Sequence, residues 1–490
     1  MVKYLPSNVA PAIVSIVALP IITRLFLPGE YGKFVLVMVA VSILTSIASW
    51  INSSILRFYP VYEKRGESIN FTRITIKLSF LSILIISIFI FVILLLMKSS
   101  INRDFYLLLN IGIIVIILFS SFEVLMSFLR IKRLINWYSG FFVWKSIAGL
   151  VFGVLFVILF HFGVEGLLYG AILSVVLALP FLWKIAIGKL WIRNKGLTFQ
   201  STIEMAKYSF PIAISIIASW ILGLSDRYMI QFFRGASEVG VYSISYQLSD
   251  RSIMFFISLF AVAYGPLAII AWEKEGKEKS QEFLTKVTRY FLLLGIPSVV
   301  GISVLREPIL RILSTSNYYE GANIIPFVAS GVLIFGLSQK FGACLIFYKK
   351  PQFITYSLII SGCVNIVLNV LFIPKYGYIS AAVTTLISYS FMLFLSIVFS
   401  RRFLIWKFPF MSLTKIIFAS FCMGIIVYFI RSRLASLMVI DLILSVSIGG
   451  VIYFCMLFLL GEIRPKEKKM IKQIIEKLLS LSRHKYQIRS

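Results

Sequence analysis

Residues 27–34 read LPGEYGKF and residues 235–242 read GASEVGVY. In each, a glutamate and a glycine stand two apart, and Gly240 follows Gly32 by 208 positions. A second pair of stretches has nearly the same spacing. FGVEGLLYGAILS at 162–174 and YGYISAAVTTLIS at 376–388 both open on an aromatic–glycine pair, carry a serine eleven positions after that glycine, and stand 214 positions apart. Basic turns precede both, RIKR at 130–133 and YKKP at 348–351. One short apolar match is weak. Two with nearly one offset and matching loop context read as an internal repeat.

The chain around these motifs is built for lipid. It has 490 residues, 59% hydrophobic and 14% charged, with a mean hydropathy of +0.95. A soluble chain carries about 25% charged residues. Continuous apolar runs recur near the ~20 residues that a helix needs to cross a bilayer. They predict fourteen spans, at 6–27, 31–55, 78–97, 105–129, 138–160, 164–186, 205–233, 238–264, 289–312, 322–348, 352–373, 378–400, 411–430 and 436–461. The repeat offset then equals six helices, and an even number makes the two copies parallel. The expected fold is an all-α polytopic membrane protein of two parallel six-helix repeats and two extra helices. Its expected parts are an N-terminal lobe over 1–200, a second lobe over 201–405, helices 13 and 14 over 406–462, and a basic amphipathic cytoplasmic tail over 463–490.

A formal charge of +28 invites a nucleic-acid reading, but the distribution argues against one. With the N-terminus placed inside, and residues near the soft span edges counted with the adjoining segments, 33 basic residues fall in inner segments, nine in outer ones and six deeper within spans. The positive-inside rule therefore expects both termini in the cytoplasm. In the tail, Ile471, Ile474, Ile475, Leu478 and Leu479 share one helical face and lysines take the others, as in a helix lying on anionic lipid. The four cysteines form no CxxC motif and there are only two histidines, so no metal site or cofactor is expected. Tyr4, Trp50, Trp137, Trp183 and Trp191 sit near predicted span ends, which is more simply an interfacial belt than a sugar platform.

The PxITRLFLPGEYGKF string, the SDR of span 7 followed by GASEVGVYS, and NIVLNVLFIPKYGYISAAVTTLISY at 365–389 resemble bacterial polysaccharide flippases. These are the Wzx-like branch of the multidrug/oligosaccharidyl-lipid/polysaccharide exporter superfamily, relatives of MATE exporters and lipid II flippases. The resemblance covers essentially the whole chain. It implies V-shaped lobes around a cavity lined by spans 1, 2, 7 and 8, and alternating access. It also implies an undecaprenyl-pyrophosphate-linked oligosaccharide as cargo, for O-antigen, capsule or exopolysaccharide, in the bacterial inner membrane. A polysaccharide polymerase and chain-length proteins are the partners it suggests.

Charges within spans are costly, roughly 2.5–3.5 kcal/mol each at mid-depth, and often mark a pathway. Arg24 and Arg227 stand at equivalent places in spans 1 and 7, and facing guanidinium forks suit a pyrophosphate. Snorkelling to the outer headgroups is the plainer alternative. Asp226 and Arg251 flank the hairpin between spans 7 and 8 at similar depth, so Asp226 is expected to hold Arg251 and leave Arg227 free. Asp250 is a further partner for a neighbouring cation. Arg57 ends span 2 inside and is either an entry contact or ordinary positive-inside placement. Lys340, beside Gln339, either touches sugar hydroxyls or neutralises a helix end. Glu123 and Lys145 flank the hairpin between spans 4 and 5 symmetrically, as a structural salt bridge would; an ion-coupling carboxylate is the alternative. Pro11 and Pro20 allow a bent gating helix or harmless kinks.

Other classes fit less well. A MATE-like drug exporter favours acidic cavity residues. A membrane-embedded polymerase or ligase places its chemistry in a long external loop, and the longest outer loops here run to only about ten residues, with no nucleophile–base set. No GxxxxGK[ST] loop is present for ATP.

Overall fold

The computed structural model describes residues 5–188, 199–431, 438–465 and 467. The predicted tail helix therefore lies almost wholly outside the described residues, as do Tyr4 and Trp191. The described residues are helical, with no strand among them. The first half comprises α1 (Leu5–Leu25), α2 (Pro28–Ala48), α3 (Asn52–Lys64), α4 (Ser68–Leu96), α5 (Arg103–Ile131), α6 (Ile135–Leu159) and α7 (Glu165–Ala186). There follow α8 (Phe199–Arg234), α9 (Ala236–Ile270), α10 (Gly276–Val304), the short α11 (Arg306–Leu313), α12 (Ile325–Phe347), α13 (Gln352–Arg401), α14 (Phe410–Arg431) and α15 (Met438–Leu459).

Helix α13 has 50 residues, about 75 Å at 1.5 Å per residue, against about 30 Å of hydrocarbon. Gly377, at φ 64° and ψ −156°, breaks it into two spans. Helices α2 and α3 together form one bent span. Among the described residues eleven helices are long and apolar enough to cross a membrane; counting the shorter α1, the helix α9 and the second half of α13 as further crossings gives the expected fourteen. The chain is a multi-pass membrane protein. Large exposed side chains such as Phe80, Phe89, Leu96 and Phe232 cover its flanks, as lipid-facing surface requires. Trp137 and Trp183 are exposed near helix ends, whereas Trp50 is half-buried and stacks on Phe210 at 5.1 Å.

Neighbour relations recur along the chain. Helix α1 packs on α6, α2 and α4 on α5, and α7 on both α5 and α6. Later, α8 packs on α13, α9 and α10 on α12, and α12 on α13. Helices α14 and α15 pair with each other and lean on α10.

Four helix ends are set by local chemistry. Pro28 opens α2, where its fixed φ is already helical and its missing N–H is no loss, and the Glu30 carboxylate accepts from the Leu27 N–H at 3.0 Å. The Asn102 side chain caps α5 by accepting from the Asp104 N–H. Gly235, at φ 94°, turns the chain into α9. At the break in α13, the Glu238 carboxylate accepts from the Tyr378 N–H at 3.1 Å and from Arg234 at 2.9 Å, tying two turns together.

The two motifs that opened the sequence reading meet in space. A Cβ on Gly32 would fall 2.0 Å from the Ala236 carbonyl oxygen; one on Gly240 would fall 1.9 Å from that of Pro28. Pro28 and Ala236 are themselves 208 apart in sequence, so the crossing is reciprocal. Only residues without a Cβ let α2 and α9 touch this closely. Around this crossing Tyr318 donates to the Phe26 carbonyl at 3.0 Å, Thr315 to that of Thr23 at 3.1 Å, and Tyr31 to Gln247 at 3.2 Å.

Several boundaries differ from expectation. The ninth span begins at Gly276 rather than 289, and α10 ends at Val304, where the chain turns into the separate amphipathic α11. Charged first turns had masked the start: Lys277, Glu278, Lys279 and Glu282 lie on helical backbone. The second span bends at residues 49–51 and continues through α3, so Arg57 sits mid-helix rather than at a span end.

Candidate functional site

Arg227 is buried at 4% exposure, and its surroundings differ from the expected arrangement. Its Nη1 donates to Asp226 Oδ1 at 2.7 Å and to the Gly223 carbonyl at 2.7 Å. Its guanidinium lies 4.2 Å from the Tyr246 ring centre and 5.3 Å from that of Tyr242. Asp226, 1% exposed, also accepts from the Arg227 N–H and from the Tyr242 hydroxyl. Asp226 thus holds its own neighbour and not Arg251, and Arg227 is not free. The reason is local. A buried charge must be paired, and the guanidinium turns to the carboxylate of the adjacent residue while also reaching the Gly223 carbonyl one helical turn back. The tyrosine faces of α9 complete a neutral, enclosed unit.

Three other arginines, Arg24, Arg57 and Arg251, are exposed. Arg24 is exposed on α1 and donates to the Pro20 carbonyl at 2.8 Å. Arg57 is exposed on α3. Neither has a carboxylate partner among the described residues. The side chain of Arg251 is 47% exposed, with Asp250 Oδ2 4.0 Å away, a loose contact. Glu123 and Lys145 stand 3.8 Å apart, the hairpin pair the sequence suggested, and the ammonium also lies 3.7 Å from the Phe119 ring centre.

Lys340 lies elsewhere. It is 1% exposed, packed between α9, α10 and α12, donates to the Tyr264 hydroxyl and stands 4.7 Å from the Phe291 ring centre. Neither of its expected roles fits: it is far too enclosed to meet a sugar, and it is mid-helix rather than at an end.

Three polar clusters escaped the sequence reading. Asn365, Asn369 and Thr384 are linked by hydrogen bonds, with Ser225 of α8 and Thr385 joining at 3.5 and 3.3 Å, a buried ladder that ties α8 to both halves of α13. The i, i+4 asparagines in NIVLNV were its visible signal. Arg289, at the inner edge of the predicted ninth span, is buried at 2% and gripped by Glu462 at 2.6 Å and Glu467 at 2.5 Å, which fastens the chain after α15 to α10. Burial raises the Glu467 carboxyl, but bonds from Arg289, the Arg464 N–H and Tyr290 outweigh it and hold it down to about 2. The third is a cavity of about 410 Å³ between α2, α5, α6 and α8, with Ser42, Thr45, Ser46 and Ser49 along one wall. The spacing 42, 45, 46, 49 marks a single helical face and was legible. Among the described residues no cluster of His, Cys, Asp and Glu is placed to hold a metal.

Comparison with known proteins gives this geometry a setting. Residues 3–269 match a family model described as "Polysaccharide biosynthesis protein", and residues 211–371 match the MatE model. An uncharacterized membrane protein of Methanocaldococcus jannaschii is 26% identical over 56% of this chain and 54% of its own length, so the chain spans only about half of that relative. A probable low-salt glycan biosynthesis flippase of Haloferax volcanii is 21% identical over 71% of this chain and 70% of its own. Among solved structures, the lipid II flippase MurJ in an inward closed conformation superposes with a TM-score of 0.72 at 18% identity, covering 94% of this chain and 99% of that one. The fold is that of this transporter superfamily.

Proposed function

The chain belongs to the polysaccharide biosynthesis protein family, and from that premise we propose that it is a flippase for lipid-linked oligosaccharides. It carries undecaprenyl-pyrophosphate-linked repeat units from the cytoplasmic to the outer leaflet of a bacterial inner membrane, for O-antigen, capsule or exopolysaccharide. The lobes over 1–200 and 201–405 rock about the outer crossing in alternating access, with both termini inside. The observation that carries this reading is the set of exposed arginines. Among the described residues Arg24 and Arg57 have no carboxylate partner and Arg251 has only a distant one, whereas Arg227 is neutralised in place. Such arginines suit a doubly anionic head, which a guanidinium grips with two parallel bonds. Fourteen spans, the MurJ-like fold and the glycan flippase among the relatives support the same reading. Polymerase and chain-length proteins are its proposed partners, and anionic lipid the proposed contact of its basic tail.

The test is deletion of the gene in its host with complementation. Lipid-linked repeat units should accumulate inside and mature surface polysaccharide should be lost, with wild type but not the Arg24→Ala/Arg251→Ala variant restoring it. Unchanged surface polysaccharide together with new sensitivity to cationic drugs would instead establish the MATE-like reading that the MatE match favours.

A further inference from the structure

The cavity between α2, α5, α6 and α8 is lined by groups that fit neither the pyrophosphate head nor the lipid tail. At about 410 Å³ it falls within the ~300–1,000 Å³ range of small-molecule sites. Its charge is balanced: Glu123 and Lys145 both line it, 3.8 Å apart. A free anion meets the carboxylate and a free cation meets the ammonium, so neither is selected.

The α2 wall is rich in acceptors. Ser42 donates its proton to the Met38 carbonyl at 2.8 Å, Ser46 to that of Ser42 at 2.9 Å, and Ser49 to that of Thr45 at 2.6 Å. Their hydrogens are thus used within the helix, and oxygen lone pairs remain for the cavity. Ser46 accepts one bond, from the Trp220 indole N–H at 3.0 Å. Two further groups are left over. Thr45, only 8% exposed, has a hydroxyl with no partner among the described residues, and so does the buried carbonyl oxygen of the Asn52 side chain. Buried polar atoms are nearly always paired, and leaving one unpaired costs about 1–3 kcal/mol. Both residues line this cavity, where an occupant that supplies donors would satisfy them. Trp50, Trp220 and Phe119 give it aromatic surface, beside Ser53, Ala213 and Ile216.

A ligand that is neutral, dense in O–H donors, and has C–H faces to lie on indole rings is a saccharide. We propose that this cavity is a saccharide subsite that seats a neutral sugar unit of the cargo. Trp50 and Trp220 form its apolar walls, the α2 hydroxyls and Asn52 accept from ring hydroxyls, and Glu123 and Lys145 meet a vicinal pair of hydroxyls, one accepting and one donating. The proposal rests on the flippase reading for the source of the sugar but not for its chemistry. It also separates tasks: exposed arginines hold the charged head while this pocket meets the glycan.

The test uses the full chain in lipid nanodiscs with two probes. Methyl glycosides of glucose, galactose and N-acetylglucosamine are titrated at millimolar concentration against tryptophan fluorescence, and farnesyl pyrophosphate is assayed by thermal stabilisation. At least one glycoside should give a saturable change that disappears in Trp220→Phe or Trp50→Phe. Thr45→Val should weaken it about three- to tenfold, the worth of one neutral hydrogen bond, with Ser46→Ala as the second variant should Thr45→Val fold poorly. Farnesyl pyrophosphate stabilisation should be unchanged in all four. The absence of any saturable glycoside response in a chain still stabilised by farnesyl pyrophosphate overturns the subsite and leaves the flippase reading standing. A glycoside response without farnesyl pyrophosphate stabilisation upholds the subsite and counts against the pyrophosphate cargo.

Discussion

Replacing Gly32 with alanine should hold the outer side of the protein open. The added Cβ would stand 2.0 Å from the Ala236 carbonyl oxygen. A carbon and a carbonyl oxygen approach no closer than about 3.3 Å, so α2 and α9 must separate by roughly 1.3 Å there. The atom met is backbone at the start of a helix, and no flexible side chain can absorb the shift. Forced overpacking of this kind costs about 1–3 kcal/mol, and at 1.4 kcal/mol per tenfold the closed state loses about five- to 150-fold in population. Gly240→Ala, with its Cβ 1.9 Å from the Pro28 oxygen, should act alike. Gly29 is the control, since a Cβ there meets nothing within 4 Å. The assay introduces Gln247→Cys, a position on α9 that bonds Tyr31 of α2 across the seam, into a chain whose four cysteines are replaced by serine. Labelling by a membrane-impermeant maleimide is followed from outside in spheroplasts. The rate should rise about tenfold or more in Gly32→Ala and stay at the parent value in Gly29→Ala. Equal rates in all three, at equal protein level, would refute the idea that these glycines set the closed state.

Arg227→Met should lower the midpoint of thermal unfolding in nanodiscs, because it strands Asp226 in the interior at about 3–5 kcal/mol; loss of polysaccharide export with wild-type stability would contradict that structural role. Arg24→Ala with Arg251→Ala should abolish surface polysaccharide at normal membrane level, with each single change losing part, and normal export by the double variant would remove the arginines from the site. Glu467 has its carboxyl held near 2, below its ordinary 4.5, so its contribution to stability is present above about 4.5 and is lost as pH falls through about 2. Wild type should therefore lose more thermal stability than Glu467→Gln between those two pH values, and parallel losses would show that the latch to Arg289 contributes nothing.

Apolar runs and loop charge suffice to read the span count, because lipid leaves the backbone no option but to satisfy itself within helices. They fail at ends rich in charge. The start of α10 carries KEKSQE, a composition that reads as loop, although a helix continues into water as readily as it crosses lipid. The site was less legible for a different reason. Depth along a helix follows from residue number, but facing does not: Asp226 and Arg251 stand at similar depth, yet what Asp226 meets depends on rotation of α8 against Tyr242 and Tyr246. Lys340 was misread likewise, since nothing in its own neighbourhood announces the Tyr264 and Phe291 rings that enclose it. The serine face at 42, 45, 46 and 49 was legible by periodicity; attention to charges alone passed over it.

The glycines at 32 and 240 explain why a short motif can signal a repeat at all. Most positions in a lipid-facing span tolerate any apolar side chain of suitable size, so two related halves drift apart in sequence. A position where one half touches the backbone of the other has no such freedom. Because the crossing is reciprocal, with Gly32 against Ala236 and Gly240 against Pro28, the same requirement falls on both copies. Glu30 and Glu238 follow the same logic two residues before, each accepting from a backbone N–H at a turn, that of Leu27 in one half and Tyr378 in the other. On the reading proposed here, the matching motifs mark the place where two repeated lobes meet, and that meeting is the seal that must part for cargo to leave.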